Sequence, residues 1–210
     1  MTMSLLPGRY DFCRKEDNMS ETSVSAKSKS TFSVKQLALV GLMSSIICVL
    51  APFSIPVPIS LAAPISLGTL AIYFVLTVLG MKLGTVSVAV YILLGLVGLP
   101  IFSGFTGGPG KLFGPTGGYI IGYIFMALIS GFFIDKWDNR FLISLVGMIL
   151  GTAALYLFGS VWLAYQASYT LPQALMISSI PYIPGDFVKL VLAMSFGRQL
   201  RKRLQRANLI

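Results

Sequence analysis

The stretch GLPIFSGFTGGPGKLFGPTGGY, from Gly98 to Tyr119, is rich in glycine and proline and lies between long apolar segments. Glycine lets the backbone approach a ligand closely, and proline interrupts helices. Its central part, GFTGGPG (Gly104 to Gly110), is too broken to form a helix. Irregular backbone at membrane depth is tolerated only where protein buries it or where it lines a cavity. We therefore expect this part to be a loop that faces a ligand, or a gate over one.

The segments on either side predict an all-α integral membrane protein. The chain of 210 residues is 55% hydrophobic and 11% charged, whereas soluble domains carry about 25% charged residues. Stretches without any charge span 36–81, 83–110, 112–134 and 141–185. A spanning helix needs about 20 apolar residues. These lengths predict six spanning helices, near residues 36–51, 66–81, 83–99, 116–134, 141–165 and 181–199.

The two ends differ from this membrane domain, which we place at residues 35–200. Residues 1–34 are polar and rich in Ser, Thr and Lys, which predicts a disordered cytoplasmic tail. They show no secretory signal pattern, and Met19 offers a second possible start. Residues 201–210 predict a basic cytoplasmic tail.

The basic residues predict the orientation. From Lys27 onward, eleven lysines and arginines fall on the side of the N-terminus, Lys111 falls on the other side, and Lys189 lies within a span. Basic residues concentrate on the cytoplasmic side, so we expect both termini to be cytoplasmic in a multi-pass protein of the cell membrane. The nearly uncharged loops 52–65, 99–115 and 166–183 then meet outside, around a pocket open to that side.

Asp186 and Lys189 form an isolated acid–base pair in an otherwise apolar segment. Charges at membrane depth are expensive, so such a pair is a candidate functional site. Asp186 follows Pro184 and Gly185 and could instead cap a helix, since an acid in the first turn is common there. A cation in the first turns opposes the helix dipole, so Lys189 does not fit that alternative. The pair could also simply stabilise the helix bundle.

Several function classes are excluded by residue content. The chain has no histidine, and its two cysteines, Cys13 and Cys48, lie in the tail and in the first span. We therefore expect no metal, no cofactor and no enzyme activity. The glycine-rich stretch lacks the consecutive lysine and hydroxyl residues of a nucleotide-binding loop, so the chain does not hydrolyse ATP itself. Basic residues from Arg198 to Arg206 directly follow a span, so we expect contact with lipid and not with nucleic acid.

Other residues have a functional and a structural interpretation. Phe102, Phe105 and Phe113 could cover an apolar ring of a ligand. Trp162 could line the pocket or belong to an interfacial aromatic belt. The small residues of the first span could dock a membrane partner or pack internally; they are Ala38, Gly41 and Ser45. The same packing alternative applies to Gly95, Gly98, Gly117, Gly118 and Gly122.

Three segments resemble the BioY family, the biotin-binding S-components of energy-coupling factor (ECF) transporters. They are Gly98 to Tyr123, which contains GPTGGY, IPGDFVKLVLA (Ile183 to Ala193) and PISLGTLAIY (Pro64 to Tyr73). Their order and spacing match, and the likeness runs from about residue 35 to 200. GPTGGY together with PGDxxK is specific to the family.

The resemblance implies six helices, capture of biotin from outside, and a first outer loop that closes over it. It also implies association with a module of one membrane coupling subunit and two cytoplasmic ATPases. The Asp and Lys of the family motif fall on Asp186 and Lys189, and the docking motif, usually two alanines, falls on Gly41 and Ser45. Thr106 stands where some members carry a binding Asn.

The expected substrate-binding residues are Asp186, Lys189, Thr106, Gly107, Gly108, Phe102, Tyr119 and Trp162. The alternatives are an S-component for another vitamin such as thiamine, a membrane-embedded enzyme acting on lipid, and a scaffold without a ligand. An enzyme would need more ionisable groups than this one pair, and a scaffold would tolerate its replacement by apolar residues.

Overall fold

A computed structural model describes residues 33–57, 60–137, 140–207 and 209. Most of the expected tail, residues 1–32, lies outside this range. Apart from its loops and one hairpin of two strands, the described part is helical. The elements are α1 (Val34–Leu50), β1 (Ser54–Val57), β2 (Ser60–Ser66), α2 (Gly68–Leu96), α3 (Pro109–Leu112), α4 (Gly117–Lys136), α5 (Phe141–Ala167), α6 (Leu171–Ser178), a 3₁₀ turn (Ile180–Tyr182) and α7 (Ile183–Arg206).

The described helices have the length and composition of a multi-pass membrane protein. Four helical segments are long and apolar enough to cross a bilayer, and the 17-residue α1 is a shorter apolar helix. Large apolar side chains point outward from these helices, for example Leu142, which is 71% exposed, and Phe196, which is 65% exposed. Such a surface suits lipid and not water. Helical segments occur at all six predicted positions.

The chain reverses direction at Gly80, in the middle of α2. Gly80 has φ +76° and ψ −160°, which is outside the helical region and open to glycine. A Cβ placed on Gly84 would lie 3.5 Å from Cα of Leu76. In a straight helix these residues would be about 12 Å apart along the axis. We therefore describe α2 as two antiparallel helical segments. They join at Gly80, two residues before the junction at residue 82 that follows from the predicted spans 66–81 and 83–99.

An ion pair holds this reversal closed. Asp135 at the end of α4 accepts a hydrogen bond from the backbone N–H of Met81 (2.9 Å) and one from Nη2 of Arg201 (2.9 Å). Nη1 of Arg201 donates to the carbonyl of Val78 at 3.3 Å. The helix α7 continues to Arg206 and Arg201 is buried, so the first residues of the predicted basic tail 201–210 belong to the last helix.

Close packing between α4 and α5 confirms part of the structural interpretation of the glycines. A Cβ on Gly118 would lie 2.2 Å from Trp162, and one on Gly122 would lie 2.9 Å from Leu155. Small residues at these positions let the two helices approach each other. Gly98 differs, since a Cβ there would meet nothing within 4 Å and its φ is +112°. It serves a turn at the end of α2.

The hairpin β1–β2 was not predicted, and in this respect the all-α interpretation is incomplete. Its strands are antiparallel, with Ser54 opposite Ser66 and Ile55 opposite Ile65. The sequence did predict a loop, and not a helix, at residues 52–65. Proline is tolerated at strand ends and on edge strands, so a short hairpin is compatible with the same residues. Strand β2 lies against α6.

Candidate binding site

The glycine-rich stretch folds into a loop that is anchored on both sides. Phe102 and Thr106 exchange backbone hydrogen bonds, with N–O distances of 2.8 and 3.3 Å. The N–H of Gly108 donates to the carbonyl of Gly95 at 2.7 Å, and the N–H of Gly104 donates to the carbonyl of Pro52 at 3.0 Å. These bonds hold the loop against the end of α2 and against Pro52, just before the hairpin. The predicted loops 52–65 and 99–115 therefore lie side by side.

The glycine-rich loop is also bonded to α5, through two side chains of that helix. Nε1 of Trp162 donates to the carbonyl of Gly114 at 3.0 Å. Nε2 of Gln166 donates to the carbonyl of Phe113 at 2.6 Å. Both carbonyls lie between α3 and α4, so these bonds fix the end of the loop against α5.

The carboxylate of Asp186 is buried and bonded to side chains. Asp186 is 6% exposed. Its Oδ1 lies 2.8 Å from Nζ of Lys189, and its Oδ2 accepts a hydrogen bond of 2.6 Å from the hydroxyl of Tyr156. The beginning of α7 has no side-chain cap. The capping alternative is thus not supported, because the carboxylate turns away from the helix start toward α5.

Lys189 connects the pair to the hairpin and to α2. Its Nζ donates to the carbonyl of Ser66 at 2.9 Å and to Oγ1 of Thr69 at 3.1 Å, as well as to Asp186. An ammonium group has three protons, so all three have partners. The Thr69 hydroxyl lies 3.3 Å from Oδ1 of Asp186 and 3.2 Å from the carbonyl of Ser66, and it can donate its one proton to either.

This network forms one wall of a cavity of about 780 Å³, a volume that includes the part open to solvent. Phe102, Ile120 and Leu155 supply apolar lining, and hydroxyl groups come from Ser66, Thr69 and Ser178 among others. Five tyrosines also line the cavity: Tyr91, Tyr119, Tyr123, Tyr156 and Tyr182.

Half of the predicted binding residues line this cavity. They are Asp186, Lys189, Phe102 and Tyr119. Phe102 is buried and packs edge to face on Tyr91, with ring centroids 5.6 Å apart. The hydroxyl of Tyr119 lies 2.6 Å from Oγ of Ser178 and donates to it. These contacts hold both aromatic rings in place at the wall.

The other predicted residues shape the loop instead of lining the cavity. Oγ1 of Thr106 donates to the carbonyl of Ser103 at 3.0 Å, and Trp162 packs on Gly118. A Cβ on Gly107 would lie 2.2 Å from the carbonyl oxygen of Leu99, so glycine is needed there for packing. Gly108 has φ +88° and begins α3. None of these four is among the lining residues.

Two of the phenylalanines expected over a ligand ring also lie elsewhere. Phe105 is 60% exposed and Phe113 is 66% exposed, and neither lines the cavity. Phe105 instead contacts the ring of Phe53, with centroids 5.5 Å apart. Loop residues adjacent in sequence point in different directions, so their spacing alone does not show which ones face inward.

The sequence analysis missed Thr69 and Tyr156, both of which bond to the acid–base pair. Tyr156 lies within an uncharged span, well before the aromatic residues near the end of α5. Tyrosine in a membrane helix prefers the interface. A hydroxyl placed far from that interface therefore needs a polar partner, and this signal could have identified Tyr156.

The small residues of α1 lie on a surface separate from the cavity. Ala38, Gly41 and Ser45 are exposed, and a Cβ on Gly41 would meet nothing within 4 Å. The opposite face of α1 packs inward, where Ser44 donates a hydrogen bond to the carbonyl of Ser87. Internal packing therefore does not explain these three small residues.

Comparison with known proteins identifies the relatives of this chain. It matches the model of the BioY family over residues 22–206, which includes part of the segment expected to lie outside the resemblance. It is 34% identical over 176 residues to the Biotin transporter BioY of Lactococcus lactis subsp. cremoris, covering 81% of this chain and 92% of that protein. It is 34% identical over 169 residues to the Biotin transporter BioY of Thermotoga maritima, covering 80% and 97%.

A solved structure has the same fold. It is a crystal structure of the S-component for biotin from an ECF-type ABC transporter, and it superimposes with a TM-score of 0.74. The two chains are 33% identical, and the match covers 80% of this chain and 92% of the other.

Proposed function

Because the chain belongs to the BioY family, we propose that it is the substrate-binding S-component of an ECF transporter and that its substrate is biotin. The observation that carries this proposal is the bonded group of Asp186, Lys189, Thr69 and Tyr156 in the wall of the cavity. It places an acid, a cation and hydroxyls beside an apolar lining. A ligand with a polar ring and an apolar body fits such a wall.

Biotin offers complementary groups. Its ureido ring has N–H donors and a carbonyl acceptor, its second ring carries sulfur, and its chain ends in a carboxylate. A carboxylate has about four acceptor positions, so Asp186 can accept a ureido N–H beside its bonds to Lys189 and Tyr156. Lys189 can give up one of its neutral partners, such as the carbonyl of Ser66, and donate to the ureido carbonyl instead. Phe102 and Leu155 can cover the sulfur ring.

The proposed topology has six membrane crossings. These are α1, the two segments of α2 on either side of Gly80, α4, α5 and α7. With both termini in the cytoplasm, the Asp135–Arg201 pair lies at the cytoplasmic end and the cavity at the outer end. Support comes from the excess of lysine and arginine on one side. The hairpin β1–β2 then lies outside, where it can close over bound biotin.

The energy for uptake comes from partners in this proposal. The chain has no nucleotide-binding loop, so we propose that a module of one membrane coupling subunit and two cytoplasmic ATPases drives transport. The exposed small residues of α1 (Ala38, Gly41 and Ser45) form the proposed docking surface for that module. Small side chains let another helix approach closely.

Isothermal titration of biotin into the purified, detergent-solubilised protein tests the proposal, with thiamine and riboflavin as controls. We expect nanomolar binding, about −12 kcal/mol, at about one biotin per chain and no heat from the controls. Absence of biotin binding by folded protein would contradict the substrate assignment. Binding of thiamine or riboflavin instead would keep the S-component and change its vitamin.

A further inference from the structure

The charged residues that line the cavity are unequal in sign. In the part of the chain that the structure describes, they are Asp186, Lys189 and Lys111, which sum to +1. Asp186 and Lys189 compensate each other across 2.8 Å. The excess positive charge therefore belongs to Lys111, on the short helix α3 in the glycine-rich loop.

Lys111 differs from Lys189 in its bonding. The Lys189 ammonium donates three hydrogen bonds to protein groups, whereas the Lys111 ammonium makes no hydrogen bond and no ion pair with any described residue. Lys111 is half-buried. A lysine that is partly removed from water and lacks a counter-charge attracts anions more strongly than one on an open surface.

Ser103 adds a second uncommitted group to the cavity. Its Oγ is buried, and no hydrogen-bond partner for it occurs among the described residues. Ser103 lines the same cavity as Lys111 and lies in the same loop. Buried polar atoms nearly always have a partner. A hydroxyl without one, at the wall of a cavity, is available to a ligand.

We infer that Lys111 binds the carboxylate of the ligand, with Ser103 as an additional hydrogen-bond donor, so that the cavity selects a monoanion. The inference rests on the proposed function, since it orients biotin with its ureido ring at Asp186 and Lys189 and its acid chain toward the glycine-rich loop. Such an arrangement separates two tasks. The compensated pair recognises the neutral ring, and the uncompensated cation recognises the negative end.

The test compares biotin with biotin amide, which keeps both rings and the chain but has no charge. We expect wild-type protein to bind biotin more tightly than biotin amide. Lys111→Met should weaken biotin binding about tenfold or more, since a bond to a charged group is lost, and should leave biotin amide binding unchanged. Lys111→Arg should restore the preference for the acid. Titration calorimetry measures all three proteins against both ligands.

Lys82→Met is the matched control, because it removes one lysine from a different cavity and should change neither affinity. Equal affinity of wild-type protein for acid and amide would overturn the inference without any variant. So would a Lys111→Met protein that binds biotin as tightly as wild type, or one that loses both ligands equally. Failure of wild-type protein to bind either ligand would instead overturn the proposed function, and this inference with it.

Discussion

The two ion pairs among the described residues, Asp186–Lys189 and Asp135–Arg201, are alike in composition and unlike in their surroundings, since Asp186 is buried and Asp135 is exposed. Asp186 and Lys189 are three residues apart on one helix and bond mainly to side chains at a cavity wall. Asp135 and Arg201 are 66 residues apart and bond to the backbone on both sides of the reversal at Gly80. The first pair can exchange partners with a ligand, whereas the second closes a turn of the chain.

The difference shows why a charge pair in a membrane protein is not by itself a binding site. Both pairs place a carboxylate within 3 Å of a cation. Asp135 and Arg201 bond to backbone groups of Met81 and Val78 on the two sides of the reversal, so they support the fold there. Asp186 and Lys189 bond to Tyr156 and Thr69, groups that can turn toward a ligand.

The largest expected effect is on ligand affinity when the cavity pair is broken. Asp186→Asn or Lys189→Ala should weaken biotin binding by at least about 100-fold, because the remaining charge is left without its partner. Titration calorimetry of the folded variants measures this. Asp135→Asn, an identical chemical change at the other pair, is the matched control. Wild-type biotin affinity in either cavity variant would contradict the proposed site.

The next effect is on stability when the turn pair is broken. Asp135→Ala leaves the N–H of Met81 and the guanidinium of Arg201 without their carboxylate. We expect a loss of about 1–3 kcal/mol in the free energy of unfolding, seen as a lower unfolding temperature in detergent. Biotin affinity of the folded fraction should stay at the wild-type value. A variant that kept its unfolding temperature but lost biotin affinity would show that the Asp135–Arg201 pair acts in binding and not in the fold.

A smaller effect on affinity is expected at Tyr156. Tyr156→Phe removes the hydroxyl that donates to Asp186 at 2.6 Å and keeps the ring. The affinity for biotin should fall about tenfold, the effect of one bond to a charged acceptor. Tyr165→Phe serves as the control, because Tyr165 is 87% exposed. Equal affinities for the two variants would show that Tyr156 does not position the carboxylate.

No effect on the isolated protein is expected at α1. Gly41→Leu places a bulky side chain on the proposed docking surface, where a Cβ meets nothing within 4 Å. Biotin affinity should stay unchanged, while co-purification with the transport module and biotin uptake by cells should be lost. Leu42→Ala, an exposed neighbour on the same helix, should leave assembly intact. Normal uptake with Gly41→Leu would remove this surface from the proposed interface.

Hydropathy and charge act locally along the chain, so they were enough to predict the class of protein and the positions of its long helices, but not α6, which lies in the predicted loop 166–183. The sequence also identified Asp186 and Lys189, since a charged pair stands out in an apolar segment. It also predicted that the glycine-rich stretch is a loop and that a helix begins near residue 116, and α4 begins at Gly117. Among the loop residues, however, spacing could not separate Phe102, which lines the cavity, from Phe105 and Phe113, which do not.

The packing of whole helices brings distant residues into contact. Tyr156 reaches Asp186 across 30 residues, and Arg201 reaches Asp135 across 66. Nothing in the spacing of these residues indicates either contact, because each depends on how whole helices pack. The same holds for the hairpin, whose strands need each other to form. It also holds for the Lys111 ammonium, which has no partner among the described residues once the loop has folded onto the cavity.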